Sequence, residues 1–325
     1  LWRGFDLKKV GFFGRDKWGV EVLNEINRSK NLKIVFVVTN SYGDKLIENY
    51  CKQKELKVFF PQNVNQSSFI RKLKKFNADI FISMSYQQIF KKRILNIPPK
   101  GILNCHAGDL PNYRGRNVLN WVLINNEKFF AITIHQVDEN IDTGKIILKK
   151  MVKIYQKDNY LDLINKTEKL CPKLYIKAIN DYINGNIKLK DQHKFSKKST
   201  YFRKRIEGDE YINWNWKSEE IYNFTRALVK PGPFARTKFK NRIYGINYVK
   251  PIKNSSNYNP GTIIKNSNGL TIKTGDNAVK ITKLINIKNK KEFEIKDKKY
   301  FKIGDILISN VKLKTPNQNA YKWNK

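Results

Sequence analysis

The first half of the chain consists of short apolar runs that alternate with segments of helix-like spacing. The runs at residues 33–38 and 78–83 are apolar almost throughout, which is typical of strands buried on both faces of a parallel sheet. The segments between them, at 45–54 and 67–76, have the periodicity of amphipathic helices. Residues 146–154 alternate and predict an outer strand. This order predicts an open, doubly wound α/β domain of the Rossmann-like kind.

Beyond residue 206 the pattern of the sequence changes. One helix is predicted at residues 218–228, and short strands follow between Asn, Gly and Pro turns, at 242–249, 261–264, 270–273, 278–284 and 306–308. Such short strands predict a small OB-like β-barrel. The chain is therefore divided into an N-terminal α/β domain (1–192), a basic linker (193–206) and a C-terminal OB-like domain (207–325). The linker is expected to be a solvated crossover, and a basic patch that faces an anionic substrate is the alternative.

The net charge of +36 invites a nucleic-acid interpretation. Lys, however, is spread over nearly the whole chain, among many Asn and Ile residues, and does not form one stripe. A compositional bias on a solvated surface explains this distribution, so nucleic acid is not favoured as the main partner on charge alone. The charge also suits a polyanionic small substrate such as a nucleotide diphosphate.

The cysteines indicate a reducing, cytoplasmic location. They are odd in number, scattered and without a CxxC motif, so neither a disulfide framework nor a metal site is expected: Cys51, Cys105 and Cys171. No apolar run approaches the ~20 residues that span a bilayer. The first residues also lack the features of a signal peptide, and no membrane partner is expected.

Residues that can carry chemistry are concentrated between positions 101 and 147. Asn104 and His106 are two residues apart at the end of an apolar run, so both project to one face of a strand, while Cys105 points into the core on the other. Asp142 lies in a loop after the next apolar run. Acyl transfer to an amine needs a base, a donor to the oxyanion and a carboxylate that tunes the base. Imidazole, amide and carboxylate meet these demands without a metal.

The same stretch resembles the formyltransferases that use 10-formyltetrahydrofolate. That family has an Asn-x-His strand end, an L-P-x-[YW]-R-G loop, matched by residues 110–115, and a D-x-G loop, matched by residues 142–144. Ala131 and Asn140 depart from the pattern, since Gly is usual at both positions. Asn accepts a positive φ better than most residues, so the loop is still expected to form. The resemblance continues at residues 199–201, 211–214, 221–228, 231–235, 261–264 and 304–305.

The resemblance implies that the amide, imidazole and carboxylate form a catalytic trio with 10-formyltetrahydrofolate as cosubstrate. It implies that the folate lies beside two segments that contain Met84, Gln88, Ile89, Val137 and Asp138. The two remaining histidines, His135 and His193, are expected to be structural. A homodimer through the C-terminal domain is a further expectation from the family.

The acceptor in this family is methionyl-tRNA, a nucleotide-linked amino sugar, glycinamide ribonucleotide or water. The purine-pathway enzyme has a single domain, so the second domain here argues against it. The tRNA enzymes carry a basic insertion after the second strand, for which residues 37–45 leave no room. Arg114, Arg116 and Asn117 resemble the sugar enzymes instead, and two guanidinium groups are good partners for a diphosphate.

These features predict a sugar N-formyltransferase of a cell-surface glycan pathway. Its acceptor would be a nucleotide-linked 4-amino-4,6-dideoxyhexose, such as a dTDP-linked one, or a similar amino sugar. Methionyl-tRNA formyltransferase, with tRNA as partner, is the alternative within the same class. A non-catalytic nucleic-acid-binding protein that uses the barrel and the basic surface is the alternative outside it.

Overall fold

The structure of the protein, a computed structural model, describes residues 7–192, 199–295, 299–309 and 320–322. His193 lies outside these ranges. The strands of the first half are β1 (Lys8–Gly14), β2 (Leu32–Val38), β3 (Val58–Phe59), β4 (Ile80–Met84), β5 (Ile102–His106), β6 (Arg114–Gly115), β7 (Phe129–Gln136) and β8 (Ile146–Lys153). Its helices are α1 (Asp16–Arg28), α2 (Lys45–Gln53), α3 (Ser67–Lys74), α4 (Lys92–Leu95), α5 (Val118–Ile124) and α6 (Tyr160–Ile183).

A seven-stranded sheet forms the centre of the first half, in the order β3-β2-β1-β4-β5-β7-β8. Its first five strands are parallel, and β7 and β8 are antiparallel additions at one edge. Apolar side chains of α3 and α4 cover one face, and those of α1, α5 and α6 cover the other. This confirms the predicted doubly wound α/β domain and the outer position of β8.

Strand β5 presents different chemistry to the two faces of the sheet. Ile102 packs on the α3 side, and Leu103 and Cys105 pack on the α6 side. Cys105 Sγ lies 2.6 Å from Cys171 Sγ on α6, and both cysteines are free and buried. The predicted core position of Cys105 is therefore confirmed, and alternation along the strand directs Asn104 to the opposite face.

The second half contains one helix, α7 (Ser218–Ala227), and a set of short strands. These are β9 (Thr200–Phe202), β10 (Ala235–Phe239), β11 (Arg242–Ile246), β12 (Lys250–Ile252), β13 (Ile263–Lys265), β14 (Leu270–Lys273), β15 (Ala278–Ile281), β16 (Lys283–Asn286), β17 (Glu292–Glu294) and β18 (Ala320–Lys322). Of all the helices in the described ranges, none is long and apolar enough to cross a bilayer.

Two antiparallel four-stranded sheets build the C-terminal part, in the orders β10-β11-β16-β17 and β12-β15-β14-β13. On one side β15 continues into β16 after a single residue. On the other side residues 306–308 form bridges from Ile308 to Lys238 of the first sheet and from Ile306 to Thr262 beside β13. The sheets are thus joined on both sides, as the predicted small β-barrel requires.

The segment after residue 198 is packed into the protein. Strand β9 pairs in parallel with β6 and antiparallel with β18. Ser199 and Phe202 are only 4% and 1% exposed, and the Phe202 ring stacks on Tyr113 at 5.0 Å and on Trp121 at 5.4 Å. The expectation of a solvated linker is therefore wrong for Ser199 and Phe202. The reason is that the Phe202 ring packs against aromatic side chains from the first half of the chain.

A hydrogen bond from α6 supports the strands in the middle of the sheet. The buried Tyr175 hydroxyl donates to Leu103 O at 2.6 Å and lies 3.0 Å from Ser83 O. We expect Tyr175→Phe to lower the free energy of unfolding by about 1 kcal/mol, since the lost bond leaves a buried carbonyl less well satisfied. Urea titration measures this change. Tyr42→Phe, at a side chain that is 75% exposed, is the control and should leave the midpoint unchanged; an equal effect of both variants would contradict the prediction.

Candidate functional site

The three side chains singled out in the sequence lie together at the end of β5. Asn104 and His106 share one face of the strand, and Asp142 reaches them from the loop between β7 and β8. The Asp142 Oδ2 atom is 3.6 Å from His106 Nδ1. His106 is buried, and the Asp142 side chain is 12% exposed. The amide, imidazole and carboxylate therefore converge as predicted, although they come from two separate segments.

The imidazole of His106 is fixed by a backbone carbonyl. Its Nε2–H donates to Tyr113 O at 2.7 Å, which leaves Nδ1 as the ring nitrogen that can accept a proton. Gly108 makes this contact possible, because a Cβ at that position would lie 2.4 Å from both His106 Nε2 and Tyr113 O. The ring thus presents Nδ1, not Nε2, toward Asp142.

His135 on β7 belongs to the same cluster. It is buried and satisfied, as expected of a structural histidine, and its Nδ1–H donates to Gln136 O at 2.7 Å. Its Nε2, however, lies 3.3 Å from Asn104 Nδ2 and 3.6 Å from Asp142 Oδ1. The sequence-based prediction missed this position in the site. The available signal was a histidine near the end of a mostly apolar strand.

The electrostatic balance of Asp142 favours the ionised form. Burial alone raises the pKa of this carboxyl, but three partners act against burial. They are the positive charge that the His106 imidazole can carry, that of the His135 imidazole, and the backbone N–H of Gly115, which donates to Oδ2 at 2.9 Å. Together they hold the pKa of Asp142 well below its usual range, so the buried side chain carries a negative charge at neutral pH.

The loop that carries Asp142 has a constrained backbone. Asp142 itself adopts a left-handed conformation with φ +56°. Asn140 does not, so its tolerance of positive φ is not needed for the loop to form. Gln192 Nε2 donates to the carbonyls of Asp142 and Gly144 at 3.1 and 2.6 Å. A Cβ on Gly144 would lie 1.9 Å from Gln136 O, so only glycine fits where the loop leads into β8.

The predicted folate segments differ in the face of the sheet that they border. Tyr86, Phe90 and Val137 border the apolar cluster on the α3 side, whereas Met84 belongs to the cluster on the α6 side. Two of the predicted side chains are already engaged, since Met84 is 1% exposed and Gln88 bonds to Val64 N and Pro61 O at 2.7 and 3.0 Å. Asp138 accepts from Thr143 Oγ1 at 2.6 Å, and Ile89 is 57% exposed. Polar contacts to a ligand along these segments would therefore come mainly from backbone groups.

The predicted sugar-binding residues differ in their accessibility. Arg114 is 4% exposed and donates from Nη2 to Ser199 Oγ at 2.8 Å. Arg116 is exposed, and its Nη2 lies 3.3 Å from Gln87 O beside the folate segments. Asn117 is also exposed and has φ +58°. Of the two guanidinium groups, that of Arg116 is therefore the one at the surface of the site.

Both halves of the chain match known sequences. Residues 8–179 match the formyl transferase family, and residues 206–299 match the formyl transferase C-terminal domain. The chain is 34% identical over 279 residues to the bifunctional polymyxin resistance protein ArnA of Wigglesworthia glossinidia brevipalpis, which covers 81% of this chain but only 41% of ArnA. It is 32% identical over 291 residues to the methionyl-tRNA formyltransferase of Halothermothrix orenii, which covers 85% of this chain and 91% of that enzyme.

Solved structures with the same fold include sugar N-formyltransferases. WlaRD, a sugar 3N-formyl transferase crystallised with dTDP and 5-N-formyl-THF, superposes with a TM-score of 0.63 at 23% identity and covers 85% of this chain and 97% of its own. An N-formyltransferase from Helicobacter canadensis, in complex with folinic acid and dTDP-3-aminofucose, gives 0.64 at 22% identity and covers 85% and 98%. At such identities the likeness concerns the fold.

The depressed pKa of Asp142 predicts a specific loss of stability in acid. The unfolded chain takes up the aspartate proton near pH 4, before the folded protein does, so the stabilisation is complete above that pH and is lost as the pH falls. The unfolding free energy of the wild type should fall between pH 5 and pH 2. In Asp142→Asn this fall should be smaller by on the order of 1 kcal/mol. Urea titrations at each pH measure the slope. Glu139→Gln, an exposed carboxylate of the same loop, is the control, and equal slopes for all three proteins would refute the role of Asp142.

Proposed function

The chain belongs to the formyltransferase family, and from this premise we propose its donor and its acceptor. It transfers a formyl group from 10-formyltetrahydrofolate to the amine of a nucleotide-linked amino sugar. The observation that supports the chemistry is the cluster of a buried, charged Asp142, the oriented imidazole of His106 and the amide of Asn104. The cytoplasmic location, the homodimer and the role in a glycan pathway are parts of the same proposal.

His106 handles the proton of the attacking amine. A neutral amine is required for attack, and the free Nδ1 of His106 accepts the proton that the amine loses. Asp142, 3.6 Å from Nδ1, stabilises the imidazolium that results. Because Nε2 stays bonded to the Tyr113 carbonyl, the ring keeps its orientation during the transfer.

Asn104 stabilises the formyl oxygen as negative charge develops on it. The Nδ2 amide has two protons, and one of them is directed to His135 Nε2 at 3.3 Å. The other is available as an oxyanion donor. His135 acts here as a positioning residue, since its own Nδ1–H is anchored on Gln136 O.

The folate fits against the apolar face between the segments at 84–90 and 137–138. When bound, 10-formyltetrahydrofolate would supply the formyl group from its N10 atom. The amine would form the new C–N bond, the bond to N10 would break, and the His106 imidazolium would return its proton to N10 so that tetrahydrofolate leaves. Tyr86 and Phe90 stack on each other at 5.5 Å and, with Val137, provide an apolar wall. Backbone groups of both segments supply the polar contacts, because the side chains of Met84 and Gln88 are engaged within the protein.

The acceptor is assigned from the short connection between β2 and α2 and from the positive charge of Arg116. Only residues 39–44 connect β2 to α2, so the basic insertion of the tRNA enzymes is not present at this point. Arg116 is exposed at the surface of the site, and its guanidinium suits a diphosphate. Methionyl-tRNA is the second candidate, since relatives of that name match most of the chain and the protein carries a net charge of +36.

Two substitutions test the chemical roles. We expect His106→Ala to lower kcat by roughly 10²–10⁴-fold, because the proton acceptor is lost, and Asn104→Ala to lower it by roughly 10²–10³-fold through loss of the oxyanion donor. Steady-state formylation at saturating substrate measures both effects. Lys150→Ala, at an exposed position on β8, is the control. Wild-type turnover in the His106 variant would exclude it as the base.

A panel of acceptors tests the substrate. With 10-formyltetrahydrofolate, we expect turnover of dTDP-linked 3-amino or 4-amino sugars and none of methionyl-tRNA. Arg116→Ala should raise KM for the nucleotide sugar by about tenfold, as a charge-assisted hydrogen bond is lost, while the exposed Arg93→Ala should not. If only methionyl-tRNA were formylated, in a salt-sensitive reaction, the sugar assignment would be wrong.

A further inference from the structure

A cavity lies at the junction between the α/β domain and the barrel. Its volume is about 420 Å³, which is within the range of about 300–1,000 Å³ for small-ligand sites. One wall comes from Lys157, just before α6, and another from Tyr222 and Arg226 of α7. The barrel contributes Tyr248 and Lys290. Both halves of the chain therefore line one cavity.

This cavity is separate from the cluster around Asp142. Along β8, Ile146 pairs with His135 of that cluster, whereas Lys153 pairs with Phe129 at the other end of the hairpin. The seven residue steps between Ile146 and Lys153 span about 23 Å. Lys157 follows Lys153, so the cavity lies at the opposite end of the sheet from the catalytic trio.

The lining of the cavity is strongly positive. Lys157, Lys230 and Lys290 have no carboxylate within ion-pair distance among the residues that the structure describes. Glu292, which also lines the cavity, lies 3.4 Å from Lys283. The concentration of unpaired ammonium groups therefore favours an anionic ligand.

Arg226 adds a largely buried side chain with one free donor atom to this wall. It is 6% exposed, and its Nε and Nη1 bond to Asn223 Oδ1 and Asp158 O, each at 2.8 Å. Within the described ranges its Nη2 has no hydrogen-bond acceptor. A guanidinium nitrogen that reaches the cavity surface and has no protein acceptor is suited to a phosphate oxygen.

An exposed aromatic ring stands beside these cations. Tyr248 is 57% exposed, and its ring meets Tyr222 edge-on at 6.3 Å and 85°. Tyr222 is in turn anchored by its hydroxyl, which donates to Gln156 O at 2.9 Å. The open face of a ring fixed in this way is a stacking platform for a planar base.

We propose that this cavity binds a single nucleoside phosphate, with its base on Tyr248 and its phosphates between Lys157, Lys290 and Arg226 Nη2. The cations bind the phosphates, and the Tyr248 ring stacks on the base. The volume of about 420 Å³ suits one nucleotide. This inference does not depend on the identity of the acceptor in the catalytic site.

Equilibrium dialysis with radiolabelled ADP tests the proposal. The wild-type protein should bind one equivalent at this cavity, and Tyr248→Ala should weaken that equivalent by about tenfold, the scale of a lost base–aromatic stack. The double variant Lys157→Glu/Lys290→Glu should abolish it. Tyr258→Ala and Lys288→Glu, at exposed positions outside the cavity lining, should bind as the wild type does. Formyl transfer should be unchanged in all of these variants.

Three results would overturn the proposal. The first is unchanged ADP binding in the cavity variants. The second is loss of all ADP binding in Arg116→Ala, which would assign the nucleotide to the catalytic site alone. The third is competition by inorganic pyrophosphate or by a single-stranded oligonucleotide at least as strong as that by ADP, which would indicate a simple anion site or a nucleic-acid surface. Because the readout is binding, absence of formyl transfer to sugars would leave this test intact.

Discussion

The whole site depends on one buried negative charge. Removing a carboxylate from water costs several kcal/mol unless hydrogen bonds and opposite charge compensate for it. The compensation for Asp142 comes from the Gly115 amide and from the rings of His106 and His135. These three partners lie on β6, β5 and β7, so the charge can be buried only when all three strands have assembled. The same charge then keeps the imidazoles in place for chemistry.

The burial of Asp142 also couples the two halves of the chain. Gly115 donates from β6, whose other side pairs with β9, and β9 is fixed by the stacking of Phe202 on Tyr113 and Trp121. Helix α5 begins three residues after Gly115 and contacts the second half through Asn120, which donates to the Ala227 carbonyl at 2.5 Å. The barrel and the segment before it therefore support the loop that holds the carboxylate.

Much of this arrangement could be predicted from patterns within a few residues. The continuous apolar runs became central strands and the alternating run became the edge strand β8, because the number of buried faces determines which positions must be apolar. Asn104 and His106 share a face because they are two residues apart on one strand. The barrel was also predictable, since its short strands are punctuated by turn residues. Contacts between residues that lie far apart in the chain leave no such local pattern in the sequence.

The sequence by itself determined the order of strands and helices and the face of β5 on which the amide and imidazole lie. Only the tertiary structure decided which ring nitrogen of His106 is free, because that depends on the Tyr113 carbonyl. It also decided that His135, 31 residues from Asn104, joins the site, and that the segment around Phe202 is buried. The physical reason is the same in each case. Hydrophobic periodicity is local, whereas hydrogen bonds, stacking and the burial of a charge are made between segments that only the folded chain brings together.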